Sequence, residues 1–177
     1  SANKWVKYNN SAGNSFITTP FKAERNELVE IRACDYAGNC SEPAKNTIMI
    51  DKTLPSAPTV SNPNSNKWVN KNYQITATSK DNLSGLASIQ YSTNNSSWTT
   101  ISGSQASANI DKSVNLSISS EGSYTYYARA CDYAGNCSSS ASTSIKLDKT
   151  APSCRISLSG SGSGNTYTSN VTVSIST

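Results

Sequence analysis

The stretch Arg32–Ser41 reads RACDYAGNCS, and Arg129–Ser138 repeats it, identical at all ten positions and displaced by 97 residues. A second landmark shares that displacement: DKTLPS at Asp51–Ser56 against DKTAPS at Asp148–Ser153. Two landmarks with one spacing define an internal repeat, and its period decides the architecture. Solenoid units of about 20–50 residues are too short for it. A β-sandwich of about 100 residues fits. Outward from the repeated stretch, YTYYARACD, STSIKLD, YQITATS, ASIQYS and VTVSIST alternate along short runs bounded by Asn, Gly, Ser and Pro. That is the period-two pattern of strands, so an all-β chain is expected.

The repeat also sets the organisation. Residues 1–53 read as the C-terminal half of a unit, 54–150 as a complete unit and 151–177 as the N-terminal strands of the next. Tyr8 matches Tyr91 in this phasing. Tyr8 precedes Cys34 by 26 residues and Tyr91 precedes Cys131 by 40, so the complete unit carries 14 extra residues, assigned to the Ser-rich stretch Ser102–Ser123.

Composition narrows the function. Of 177 residues, 34 are Ser, 17 Thr and 20 Asn, so 71 are small polar types and the expected core is thin. The absence of histidine excludes Ser-His-Asp and Cys-His catalysis and the mixed zinc sets. Eleven acidic residues are scattered without the facing pair that glycoside hydrolysis needs, so no enzyme is expected. The 15 basic residues are equally scattered, unlike the stripe or patch of a nucleic-acid footprint. No run approaches 18 apolar residues, and the N-terminus lacks an apolar signal core, so no membrane insertion is expected in this segment. No cofactor is expected either.

Within DYAGN, the Asp side chain accepts from backbone N–H groups a few residues on, Gly supplies a positive φ and Asn tolerates one, which is turn chemistry. Cys34/Cys40 and Cys131/Cys137 flank these turns with five residues between, and strands converging across the turn bring their Cβ atoms within disulfide reach. A C-x5-C spacing without a second pair or any His is neither a zinc pattern nor the C-x-x-C of redox proteins. Two structural disulfides are expected, which imply an oxidising compartment. Alternation puts Tyr124, Tyr126, Ala128 and Ala130 on one side and Arg129 and Cys131 on the other, so each bridge is expected on the solvent face beside an Arg. Cys154 is left without a partner in this sequence and falls in the third, incomplete unit.

The motifs Asp81-x-x-Ser84-Gly85, Gly122-x-Tyr124-x-Tyr126, Asp132-x-Ala134-Gly135-Asn136 and Asp148-Lys149-Thr150-x-Pro152 resemble those of the bacterial Ig-like tandem repeats in large secreted and cell-surface proteins. The last two recur as Asp35-x-Ala37-Gly38-Asn39 and Asp51-Lys52-Thr53-x-Pro55. The first unit departs from the pattern, since Glu24–Leu28 contains no Gly-x-Tyr. The resemblance covers nearly the whole chain and specifies a module type rather than a ligand.

It implies tandem immunoglobulin-like sandwiches, a tyrosine corner at Tyr124, and a stalk or spacer that presents a distal domain outside the bacterial cell. Proline fixes φ and keeps the residue before it extended, so the two linkers should be stiff. The expected partners are neighbouring repeats of the same chain. The alternative is an adhesive module whose loops, or the Ser102–Ser123 stretch, hold a surface glycan or protein; Trp68 and Trp98 on one exposed patch would favour it. No metal is expected, with one arrangement weighed as an exception. An Ig-like topology gathers the incoming linker and two loops at one end, which would bring Asp51, Asp81 and Asp132 together as oxygen ligands for calcium.

Overall fold

Alternating side chains pair into antiparallel strands throughout residues 22–177, the part of the chain described by the computed structural model. Tyr8 lies outside the described residues. The chain divides into two compact units, Ser1–Lys52 and Thr53–Thr177, and residues 151–177 group with the second.

In the N-terminal unit β1 (Arg25–Ile31) pairs with β2 (Ala44–Ile50), in register from Arg25↔Ile50 to Ile31↔Ala44. The ladder extends into the turn through an isolated bridge between Cys34 and Cys40. None of residues 22–52 is buried.

The C-terminal unit holds β3 (Thr59–Ser61), β4 (Tyr73–Ser79), β5 (Leu86–Ser92), β6 (Thr99–Thr100), β7 (Lys112–Ile118), β8 (Gly122–Asp132) and β9 (Ala141–Leu147). They form a three-stranded sheet in the order β3-β4-β7 and a four-stranded sheet in the order β6-β5-β8-β9. Both contribute to one sandwich-like core. Ala77 and Val114 of the first sheet meet Leu86, Ile89, Ala128 and Ala130 of the second. Ile75 and Ile118 meet Ile145 and Leu147. Burying a Leu or Ile stabilises by roughly 1.5–3 kcal/mol, and few such residues are available here. Polar groups finish the job: the Tyr124 hydroxyl donates to the Ser120 carbonyl at 2.8 Å and pins the entry to β8.

Ser102–Ser123 differs from the expected insertion. It contains β7, whose Val114 and Ile118 enter the core, and Ser104, which is fully buried. The alternation Val114, Leu116, Ile118 forces this, because serine and asparagine at the intervening positions face outward.

Beyond the sandwich, β10 (Arg155–Ser159) pairs with β13 (Thr172–Ser176), and β11 (Gly162–Ser163) pairs with β12 (Thr166–Tyr167). Ile156, Leu158, Val173 and Ile175 remain exposed. Among the described residues no helix is long and apolar enough to cross a membrane.

Candidate functional site

Three places carry chemistry. The first is the end of the C-terminal unit where the DYAGN turn meets the loop Asp81–Gly85. The Asp132 carboxylate closes its own turn: Oδ1 accepts from the Asn136 backbone N–H and Oδ2 from the Asn136 side-chain amide, both at 2.8 Å. Gly135 sits at φ +94°, a conformation that side-chain-bearing residues rarely adopt.

Asp81 turns the neighbouring loop, its Oδ2 accepting from the N–H groups of Leu83 at 3.0 Å and Gly85 at 2.7 Å. Gly85 is required for two reasons: φ is +88°, and a Cβ there would stand 2.6 Å from the Ala106 carbonyl oxygen. The loop is anchored on both flanks, by Asn109 N–H to the Asp81 carbonyl at 2.7 Å and by Tyr133 N–H to the Gly85 carbonyl at 3.1 Å.

This framework leaves two carboxylates together in the interior. Asp81 is 1% exposed and Asp132 3%, and carboxylate oxygens of the two lie within 4.8 Å of each other. Asp81 Oδ1 is buried and has no hydrogen-bond partner. Among the described residues neither aspartate forms an ion pair. Two buried carboxylates with an orphaned oxygen are costly unless a positive charge joins them. Rigid oxygen donors of this kind suit a hard divalent cation. Asp51, the third aspartate expected from the sequence, belongs to the N-terminal unit and is half-buried there.

The disulfides Cys34–Cys40 and Cys131–Cys137 are formed, with Cα atoms 4.1 Å apart in each, and Cys154 is an exposed free thiol. The expected face needs one correction. Cys34 and Cys40 are exposed, whereas Cys131 is buried although it lies opposite the core-facing Ala128 and Ala130. Gln90 from β5 covers it, its Oε1 3.9 Å from Cys131 Sγ, and that oxygen also accepts from Arg129 Nε at 2.9 Å. The Arg129 guanidinium lies 4.4 Å from the centre of the Trp98 ring. Alternation identifies a strand's outer face, and only the neighbouring strands decide whether that face is covered.

The second place is the DKT segment of each repeat, Asp51–Thr53 and Asp148–Thr150, and the sequence reading missed it. Glu121 accepts from the Lys149 backbone N–H at 2.7 Å and from the Thr150 hydroxyl at 3.0 Å. The Lys149 ammonium donates to the Ser119 carbonyl at 2.9 Å. In the N-terminal unit Glu24 accepts from the Lys52 N–H at 3.0 Å, and the Lys52 ammonium donates to the Lys22 carbonyl. Subtracting the repeat's displacement of 97 from Glu121 lands on Glu24, which was the available signal. The segment that follows the first DKT is held as well. Pro55 and Pro58 are buried, Ser56 N–H donates to the Lys80 carbonyl at 2.9 Å, and Lys80 N–H donates to Ser56 Oγ at 2.9 Å.

The third place is an open cleft of about 530 Å³ lined by Asn64, Trp68, Val69, Asn70, Lys71, Tyr73 and Asp148. Trp68 and Trp98 do not share a patch. Trp68 stands by Asp148, beyond the β9 end that pairs with Gly122, whereas Trp98 stacks on Arg129 seven residues further along β8. No family model and no curated protein matches the chain.

Proposed function

We propose that the chain is part of the stalk of a large exported bacterial protein, built from Ig-like repeats and working as a spacer that presents a distal domain. The observation that carries this reading is the exit clamp. In both repeats a glutamate and the lysine of DKT tie the segment after the last strand of the hairpin back to the hairpin, at equivalent positions. A chain that only needed to connect two folded pieces has no use for a fixed departure, whereas a spacer does. The tandem spacing, the Tyr124–Ser120 bond at the place of a tyrosine corner and disulfides that persist outside reducing compartments support the same reading.

Asp81 and Asp132 then seat calcium as a structural ion that stiffens this end of the unit. The partners are neighbouring repeats, and the compartment is extracellular.

Amide hydrogen exchange on the full chain tests the stalk reading. The Lys52 and Lys149 amides should be protected, and Glu24→Gln and Glu121→Gln should each release the local one alone. Exchange of both amides at unstructured rates in the unaltered protein would make these exits loose linkers and remove the basis for a spacer. The adhesive reading is favoured by one observation, the cleft beside Trp68.

A further inference from the structure

We infer that the Trp68 cleft, beyond the end of β9, is a binding subsite for a neutral saccharide. The inference goes beyond the spacer reading and stands without it.

Three properties of the cleft point to this chemistry. The first is a large aromatic face held in water. Trp68 is 59% exposed, and leaving an indole in solvent forgoes the burial that usually accounts for tryptophan in a thin-cored sandwich. Sugar rings present C–H faces that pack on such a surface.

The second is preorganisation. The loop carrying Trp68 is fastened to β9 on both sides. Before Trp68, the Asn62 amide donates to Thr143 Oγ1 and to the Ser144 carbonyl, both at 2.9 Å. Immediately after it, Val69 N–H donates to the Lys146 carbonyl at 3.2 Å, and Asp148 N–H donates to the Val69 carbonyl at 3.0 Å. A flexible surface tryptophan needs no such anchorage, and a binding platform gains affinity from it.

The third is the polar complement. Asn64 and Asn70 offer amides that both donate and accept, as hydroxyl groups do. Tyr73 also lines the cleft, but its hydroxyl is buried, so the hydrogen bonds on offer come from the two amides. Lys71 and Asp148 are the charged side chains of the lining, and they cancel. A phosphate, sulfate or carboxylate ligand would call for an excess of positive charge, and a cationic one for an excess of carboxylates. A mixed lining with an aromatic platform suits a polyhydroxylated neutral ring.

The test is an NMR titration of the full chain with neutral oligosaccharides of glucose, galactose, mannose and N-acetylglucosamine. A sialylated and a sulfated oligosaccharide serve as charged comparators. The expected result is a saturable shift of the Trp68 indole N–H and the Asn70 and Lys71 amides with at least one neutral sugar. Trp68→Ala should weaken that binding about tenfold, the loss of roughly one stacking contact. Trp68 is largely exposed, so this variant should keep the wild-type amide spectrum elsewhere. Asn70→Ala provides a second variant, expected to weaken binding severalfold without touching the aromatic platform. The proposal is overturned by no shift with any neutral sugar, by shifts that persist in Trp68→Ala, by shifts centred on Trp98, or by preference for a charged comparator.

Discussion

Two copies of one ten-residue sequence fold into the same hairpin turn and meet different surroundings. In both, the Asp N–H donates to the Asn carbonyl, at 2.9 Å from Asp35 and 3.0 Å from Asp132. In both, the Ser N–H returns to the Ala carbonyl at 2.8 Å, and the Ala N–H donates to the Ser hydroxyl at 3.1 Å for Ala33 and 3.0 Å for Ala130. The glycines adopt φ of +95° and +94°. Yet residues 32–41 are all exposed, whereas Ala130, Cys131, Asp132 and Ser138 are buried. The turn is therefore local property, written in Asp, Gly, Asn and the paired cysteines. Burial is supplied by β5 and the Asp81 loop, which lie tens of residues away in sequence. One motif thus serves as a surface turn in one place and as half of a candidate ion site in another.

Calcium should separate the copies most strongly. Saturating the Asp81–Asp132 pair at about a hundredfold over its dissociation constant stabilises the C-terminal unit by about 2.7 kcal/mol. The melting temperature of the full chain should rise in calcium relative to chelator. Asp81→Asn should abolish the rise, and Asp35→Asn should leave it. A melting curve indifferent to calcium removes the ion from the account.

Packing gives the next contrast. Ala130→Leu forces a larger side chain into a fully buried position and should cost about 2 kcal/mol, while Ala33→Leu should stay within about 0.5 kcal/mol. Amide exchange in β8 and β1 measures each separately, and equal costs would mean that both copies are packed alike.

The disulfides sharpen the comparison by rate. Closing a loop of this size stabilises either hairpin by about 2 kcal/mol. Reductant, however, reaches the exposed Cys34–Cys40 bridge more easily than the one with Cys131 covered by Gln90. Alkylation and peptide mass after brief mild reduction should find Cys34 and Cys40 labelled first; the reverse order would contradict the covering role of Gln90.

The smallest effect is acidic. The Asn39 side-chain amide, followed by its backbone N–H, holds the Asp35 carboxyl below its ordinary pKa. A depressed folded-state value contributes stability that is present above the unfolded pKa of about 3.9 and is lost as pH falls through the lower folded value. The Asn39 amide resonance should therefore hold its position down to about pH 4 and move only below it. Movement between pH 6 and 5 would place the carboxyl's pKa on the other side of its ordinary value.

These contrasts explain what was legible in the sequence. Strand alternation, the turn and the disulfide pairs all depend on short-range patterns or on the repeat. β7 was hidden because its apolar residues, Val114, Leu116 and Ile118, sit in a serine-rich stretch whose composition suggests a loop. Asp81 gave no sign of being buried with an orphaned oxygen, because that depends on Asn109, Tyr133 and the Gly85–Ala106 contact. The stack of Arg129 on Trp98 joins residues 31 apart in sequence, across the intervening β5, a distance over which no local periodicity operates. The glutamate clamp was visible in principle, since Glu24 and Glu121 obey the repeat spacing, but a single surface glutamate is too common to be singled out without its partner in view.

The clamp also bears on how such a chain changes over generations. Glu24 and Glu121 each grip the DKT segment of their own repeat, so neither grip relies on a residue of the other. In the array proposed above, duplicating or deleting one whole period would leave every such grip intact. Near-identical stretches at a fixed spacing are also the substrate on which unequal recombination acts. The length of such an array would then change in steps of one period, by a genetic event that rewrites none of these grips.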